Sequence, residues 1–130
     1  MKTLVLDTHV LLWHASESEN LSEAARKAMA SADELAVSAI SAWEIGMLIS
    51  KGRLSLSYDV SAWIGLAGRL PKIRWIDIGP ELAVLSTRLP GTFHGDPTDR
   101  LITATAISLG ATLVTADDRI RKHKHVRTLW

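Results

Sequence analysis

Residues 98–117 read Thr98-Asp99-Arg100-Leu101-Ile102-Thr103-Ala104-Thr105-Ala106-Ile107-Ser108-Leu109-Gly110-Ala111-Thr112-Leu113-Val114-Thr115-Ala116-Asp117. Thr98–Leu109 has helical composition, Gly110 stops it, and Thr112–Thr115 is a short apolar run suited to a buried strand. No charge falls between Leu101 and Ala116. That stretch is nevertheless too short for a comfortable membrane span, and Gly110 with four threonines favours a helix–turn–strand passage. The strand ends at an acid, Asp117.

The same unit recurs along the chain. Lys2–Leu6 reads as a buried strand closed by Asp7, followed by a short helix over Thr8–Ala15. Ser22 caps a helix to Ser31, Leu35–Ser38 is a second strand, and Ser41–Lys51 is a helix ended by Gly52 at C′. Asp59 opens a helix over Val60–Leu70, Ile73–Ile78 is a third strand, and Pro80 starts a helix to about Leu89. A turn-rich loop, Pro90–Pro97, leads into the unit quoted above. Asp117–Lys122 is a short helix and Val126–Leu129 a fifth strand. Strands separated by helices need crossover connections, so the fold class is α/β, with a central parallel sheet of four to five strands between two helical layers.

Composition sets the frame. The 130 residues are 47% apolar and 22% charged, which is one globular domain's worth of chain, residues 1–130. There is no cysteine, which excludes disulfides and thiolate zinc sites. The only apolar residues between Lys2 and Asp7 are Leu4, Val5 and Leu6, too few for a signal-peptide core, so a cytoplasmic protein with no membrane association is expected. The formal charge of +1 is unevenly spread. All 14 acids lie at or before Asp118, whereas Arg119, Arg121, Lys122, Lys124 and Arg127 follow with no acid among them. A basic tail on an acidic body points to a polyanionic partner.

Ligands of open parallel sheets collect at the carboxyl ends of the strands. Asp7 and Asp117 stand there directly. Glu44 and Asp99 stand in the first turns of helices arising from, or leading to, that edge. Each has a plain structural reading: Asp7 as a helix cap, Glu44 as the far half of a capping box with Ser41, Asp99 as a first-turn acid, Asp117 as a turn residue. Four carboxylates on one edge repel one another by roughly 4 kcal/mol for a close pair at an effective dielectric near 20, so either some are protonated or a divalent metal neutralises them. All-oxygen ligands favour Mg²⁺ or Mn²⁺, able to activate water and to stabilise charge on a phosphodiester. His9 and His14 are poorly spaced for a metal pair, and His94 reads as a loop hydrogen-bonder. Trp43 and Trp63 read as core or interface rather than as base-stacking platforms.

Four segments, Leu4-Val5-Leu6-Asp7-Thr8-His9, Ser38-Ala39-Ile40-Ser41-Ala42-Trp43-Glu44-Ile45, Gly95-Asp96-Pro97-Thr98-Asp99-Arg100-Leu101-Ile102 and Leu113-Val114-Thr115-Ala116-Asp117, together resemble the PIN-domain ribonucleases, and within them the VapC toxins of bacterial toxin–antitoxin pairs. The resemblance covers nearly the whole chain. It implies a metal-dependent endoribonuclease toxin, with Asp7, Glu44, Asp99 and Asp117 as catalytic, metal-binding acids and Thr8, Asp96 and Thr115 in support. It also implies Mg²⁺ or Mn²⁺, a homodimer, an RNA substrate (tRNA, rRNA or mRNA) and inhibition by a cognate VapB-type antitoxin. Many relatives carry a lysine four residues after the glutamate, where this chain has Leu48. Arg100, Arg119, Arg121 and Lys122 are the expected RNA contacts, Arg100 with a nearby carboxylate as its other option.

Other readings fit less well. A receiver domain lacks its acid pair after the first strand, its acceptor aspartate after the third and its late lysine. A dehalogenase-like phosphatase wants an aspartate where His9 stands. The alternative from another class is a catalytically inactive PIN-fold module that binds RNA or protein.

Overall fold

The computed structural model describes residues 1–130. Its five strands are β1 (Thr3–Leu6), β2 (Glu34–Ser38), β3 (Ile73–Ile76), β4 (Thr112–Val114) and β5 (Thr128–Leu129). The helices are α1 (Thr8–Ala15), α2 (Glu23–Ser31), α3 (Ala39–Ser50), α4 (Val60–Ala67), α5 (Pro80–Thr87), α6 (Pro97–Leu109) and α7 (Asp118–Arg121). All strand pairs are parallel, in the order β3-β2-β1-β4-β5. No helix is long and apolar enough to cross a membrane.

The alternation of side chains along β1 explains the layers. Leu4 and Leu6 face one way and join Val10, Leu11, Leu35, Val37 and Ile45 in a core under α1–α4. Val5 faces the other way and joins Ala36, Ile102, Ala106, Leu113 and Ile120 under α6 and α7. A central strand apolar on both faces is stable only when helices cover both, which is the three-layer arrangement expected. β1 is also where the strand order reverses, because β2 and β3 extend to one side and β4 and β5 to the other. The crevice beyond its carboxyl end, beside β4, is the natural binding position of such a sheet.

Several boundaries differ from expectation. Ser38, not Ser41, caps α3: its backbone is extended at φ −64°, ψ 140°, and its hydroxyl accepts the Ile40 N–H at 3.2 Å. The helix therefore begins two residues early at Ala39. The Ser41–Glu44 capping box does not form, and Glu44 lies in the second turn. Ser41 is buried, its Oγ 2.8 Å from the Thr8 hydroxyl. The third strand stops at Ile76, the fifth spans only Thr128–Leu129, and α4 and α5 end at Ala67 and Thr87. At the other end α6 starts at Pro97, since proline tolerates a first-turn position where no N–H is needed.

Candidate active site

The ends of β1 and β4 each deliver a carboxylate to the crevice, held by its own turn. Asp7 leaves β1 as the N-cap of α1, and its Oδ1 accepts the Thr8 N–H at 2.8 Å. Its Oδ2 accepts the Thr115 hydroxyl at 2.7 Å. The same Thr115 oxygen accepts the Asp117 N–H at 3.0 Å, so one side chain sets both acids across the β1–β4 seam. Asp117 in turn caps α7 through the Arg119 N–H at 2.8 Å. On α6, Asp96 is the N-cap, and its Oδ1 accepts the Asp99 N–H at 3.0 Å. Cap and candidate ligand are thus not rival readings for Asp7 and Asp117; one oxygen serves the helix while the other stays at the crevice.

The electrostatics shows that these acids share a space. Burial raises the Asp7 carboxyl above its usual range, opposed by the Thr115 and Thr8 hydrogen bonds, with Asp117 adding repulsion. Burial also raises Glu44, opposed by the Thr8 hydroxyl and reinforced by Asp7 and Asp96. Asp99 is driven up to about 6, mainly by burial; His94 opposes this, and Asp96, Asp7 and Asp117 add to it. The structure therefore brings together Asp7, Glu44, Asp99 and Asp117, with Thr8, Asp96 and Thr115 beside them. Burial, reinforced by mutual repulsion, is what raises these acids, and an all-oxygen donor set suits a hard divalent cation such as Mg²⁺ or Mn²⁺. No three of these side chains already close into a coordination cage. Asp7 Oδ2 is engaged by Thr115 and Asp99 Oδ2 by His94, so the fit lies in the chemistry of the donors.

The PIN domain family model matches residues 4–126. The chain belongs to the PIN-domain family. It is 44% identical to Ribonuclease VapC22 of Mycobacterium tuberculosis (strain ATCC 25618 / H37Rv) over 132 aligned positions, covering all of both chains. Among solved structures it is similar to DNA-bound VapBC from Salmonella typhimurium, at TM-score 0.69, 21% identity and coverage of 99% and 98% of the two chains. It is also similar to FitAcB from Neisseria gonorrhoeae, at TM-score 0.67, 17% identity and coverage of 97% and 96%. These two likenesses carry the fold.

In this PIN domain Leu48 brings no charge, and the groups that meet the acids are an imidazole and a guanidinium. His94 Nε2 lies 2.7 Å from Asp99 Oδ2. Arg119 Nη2 lies 3.4 Å from Asp99 Oδ2 and 3.6 Å from Asp117 Oδ2, so one guanidinium spans two acids. The sequence reading took His94 for a loop hydrogen-bonder, and missed that its partner is the acid itself. The signal available was its place in the turn-rich loop, immediately before the α6 cap. Arg100 does not meet a carboxylate. Its Nε donates to the Ser86 carbonyl at 3.0 Å and its Nη1 to those of Phe93 and His94 at 3.0 and 3.1 Å. This guanidinium ties the His94 loop to α5. Arg121 pairs with Asp118 at 3.5 Å on the outside, and Lys122 follows α7 fully exposed.

Proposed function

We propose that this protein is an Mg²⁺- or Mn²⁺-dependent endoribonuclease, the toxin of a VapC-type toxin–antitoxin pair, acting through the single domain 1–130. The observation that carries the reading is the convergence of Asp7, Glu44 and Asp99, whose proton affinity is raised, with Asp117 at the strand-order reversal of a PIN-domain chain. The 44% identity to a ribonuclease over the full length supports it. The toxin–antitoxin complexes among its structural neighbours favour a cognate VapB-type antitoxin as inhibitor; a homodimeric toxin acting in the cytoplasm completes the proposal.

Asp7, Glu44, Asp99 and Asp117 would hold the cation. When bound, it supplies activation of a water nucleophile and neutralisation of charge on the phosphodiester. Thr115 fixes the spacing of Asp7 and Asp117, and Asp96 fixes Asp99 at the start of α6. His94 Nε2 holds the Asp99 carboxyl in place at 2.7 Å. Arg119, largely exposed, is free to leave its two acids for a phosphate oxygen. Arg121 and Lys122 extend the same positive edge as backbone contacts.

The test is end-mapping of total cellular RNA treated with purified protein in Mg²⁺ or Mn²⁺ and in EDTA, beside Asp7→Asn. New ends that need both metal and Asp7 are expected, and they name the substrate. Folded, antitoxin-free protein that produces no new ends overturns the reading.

A further inference from the structure

The first feature left unexplained is Trp43. It is 57% exposed, an unusual position for a large apolar ring, and it adjoins Glu44 on α3. Successive steps of four residues along the helix place Trp43, Met47 and Lys51 in one stripe. Together with Glu44, Leu48, Arg53 and Asp96, this stripe lines an open groove of about 290 Å³. One end of the groove is therefore the carboxylate site, and the other end is basic.

The basic end is positioned by backbone chemistry. Gly52 adopts φ +70°, a left-handed conformation open to glycine at little cost. Its N–H bonds the Ile49 carbonyl at 3.0 Å, and the Arg53 N–H bonds the Leu48 carbonyl at 2.9 Å, the paired bonds of a Schellman motif. The chain is thus folded back at the end of α3, and Arg53 lines the groove beside Leu48 and Lys51. The ion pairs of the molecule engage Lys27, Arg74, His94, Arg119 and Arg121. Lys51 and Arg53 are exposed and in none of them.

We infer that Trp43, Lys51 and Arg53 form a nucleobase-stacking subsite for single-stranded RNA, with the base on the Trp43 indole and the adjoining phosphates on Lys51 and Arg53. The inference rests on the nuclease reading above and deepens it. An aromatic face beside unpaired cations is the chemistry that binds single strands without needing a base-specific contact. A duplex offers no free base face, so the strand must be unpaired here. Charge selects the occupant: an apolar protein segment would bury Lys51 and Arg53 with no anion to meet them, whereas a phosphodiester satisfies both and runs on toward Glu44.

The test is fluorescence anisotropy with a short fluorescein-labelled single-stranded RNA of mixed sequence and with its duplex, in EDTA so that the RNA survives. Trp43→Ala is expected to weaken single-strand binding by about 5- to 100-fold, with Trp43→Phe restoring most of it. Lys51→Ala with Arg53→Ala should lower the slope of log affinity against log salt by about 1.4. Wild-type protein that does not bind the strand, or Trp43→Ala that binds like wild type, overturns the subsite. So does a Trp43→Ala protein that sediments as a smaller species, since the face is then an interface between copies. The nuclease reading fails separately, through wild-type protein that binds the strand but yields no new ends with Mg²⁺ or Mn²⁺.

Discussion

Replacing Asp99 by asparagine isolates the electrostatic cost of the site. The Asp99 carboxyl ionises at about 6 in the folded protein, against 3.8 for the free group. Between those values the folded chain binds more protons than the unfolded one, so stability falls as pH rises through the window. At about 1.36 kcal/mol per unit, the full penalty above about pH 6 is of order 3 kcal/mol. It is absent below about pH 4, where both states are protonated. Asparagine mimics the protonated acid and escapes the penalty. Asp99→Asn should therefore melt higher than wild type at pH 7 in EDTA, by up to roughly 10 °C for a domain of this size, and the gap should close near pH 4. Asp7 and Glu44 are raised in the same direction, but both proteins retain them, so the difference curve reports Asp99. Mg²⁺ or Mn²⁺ should then stabilise wild type more than the variant. The assay is a thermal melt of both proteins from about pH 4 to pH 8, with and without metal. An Asp99→Asn protein equal to or less stable than wild type at pH 7, with a gap that ignores pH, refutes the reasoning.

Three further outcomes follow from single contacts. Thr115→Val keeps shape but removes the hydroxyl that bonds Asp7 and Asp117; it should cost about 1–3 kcal/mol in urea unfolding, and should shift the acid limb of the activity profile to higher pH as Asp7 loses its donor. Arg100→Ala frees the carbonyls of Ser86, Phe93 and His94; a loss of about 2–4 kcal/mol, with faster hydrogen exchange confined to the 90–97 loop, is expected. Ser38→Ala should cost about 1 kcal/mol as a lost cap, whereas removal of a true cap at Ser41 is excluded by its place inside α3; equal stability of Ser38→Ala and wild type would contradict the observed helix start.

The fold was legible because its signals are local. Apolar runs at 3–6, 35–38 and 112–114, separated by helical composition, admit only a parallel sheet with crossovers, and the structure has it. Boundaries were less so. Two serines, Ser38 and Ser41, can each cap α3, and local pattern favours the one paired with Glu44. The structure chooses Ser38 because a buried bond to Thr8 draws Ser41 inside, and Thr8 is distant in sequence. The acids were legible from their places at strand ends, together with the resemblance. The partners of those acids were not, because His94 reaches Asp99 through a loop whose course is set by Arg100, and Arg119 spans Asp99 and Asp117 only once α6 and α7 are docked on the same face.

Patterns of period and punctuation in the sequence by itself determined the element types, the parallel sheet, the edge on which the carboxylates stand and the all-oxygen character of their donors. Tertiary structure alone decided which oxygens are engaged, that burial raises Asp7, Glu44 and Asp99, that His94 and Arg119 meet the acids and that Trp43 faces an open groove beside Lys51 and Arg53. The division has one physical cause: backbone preference and side-chain alternation act over a few residues, whereas desolvation and charge depend on whatever the folded chain brings within a few ångströms from any distance in sequence.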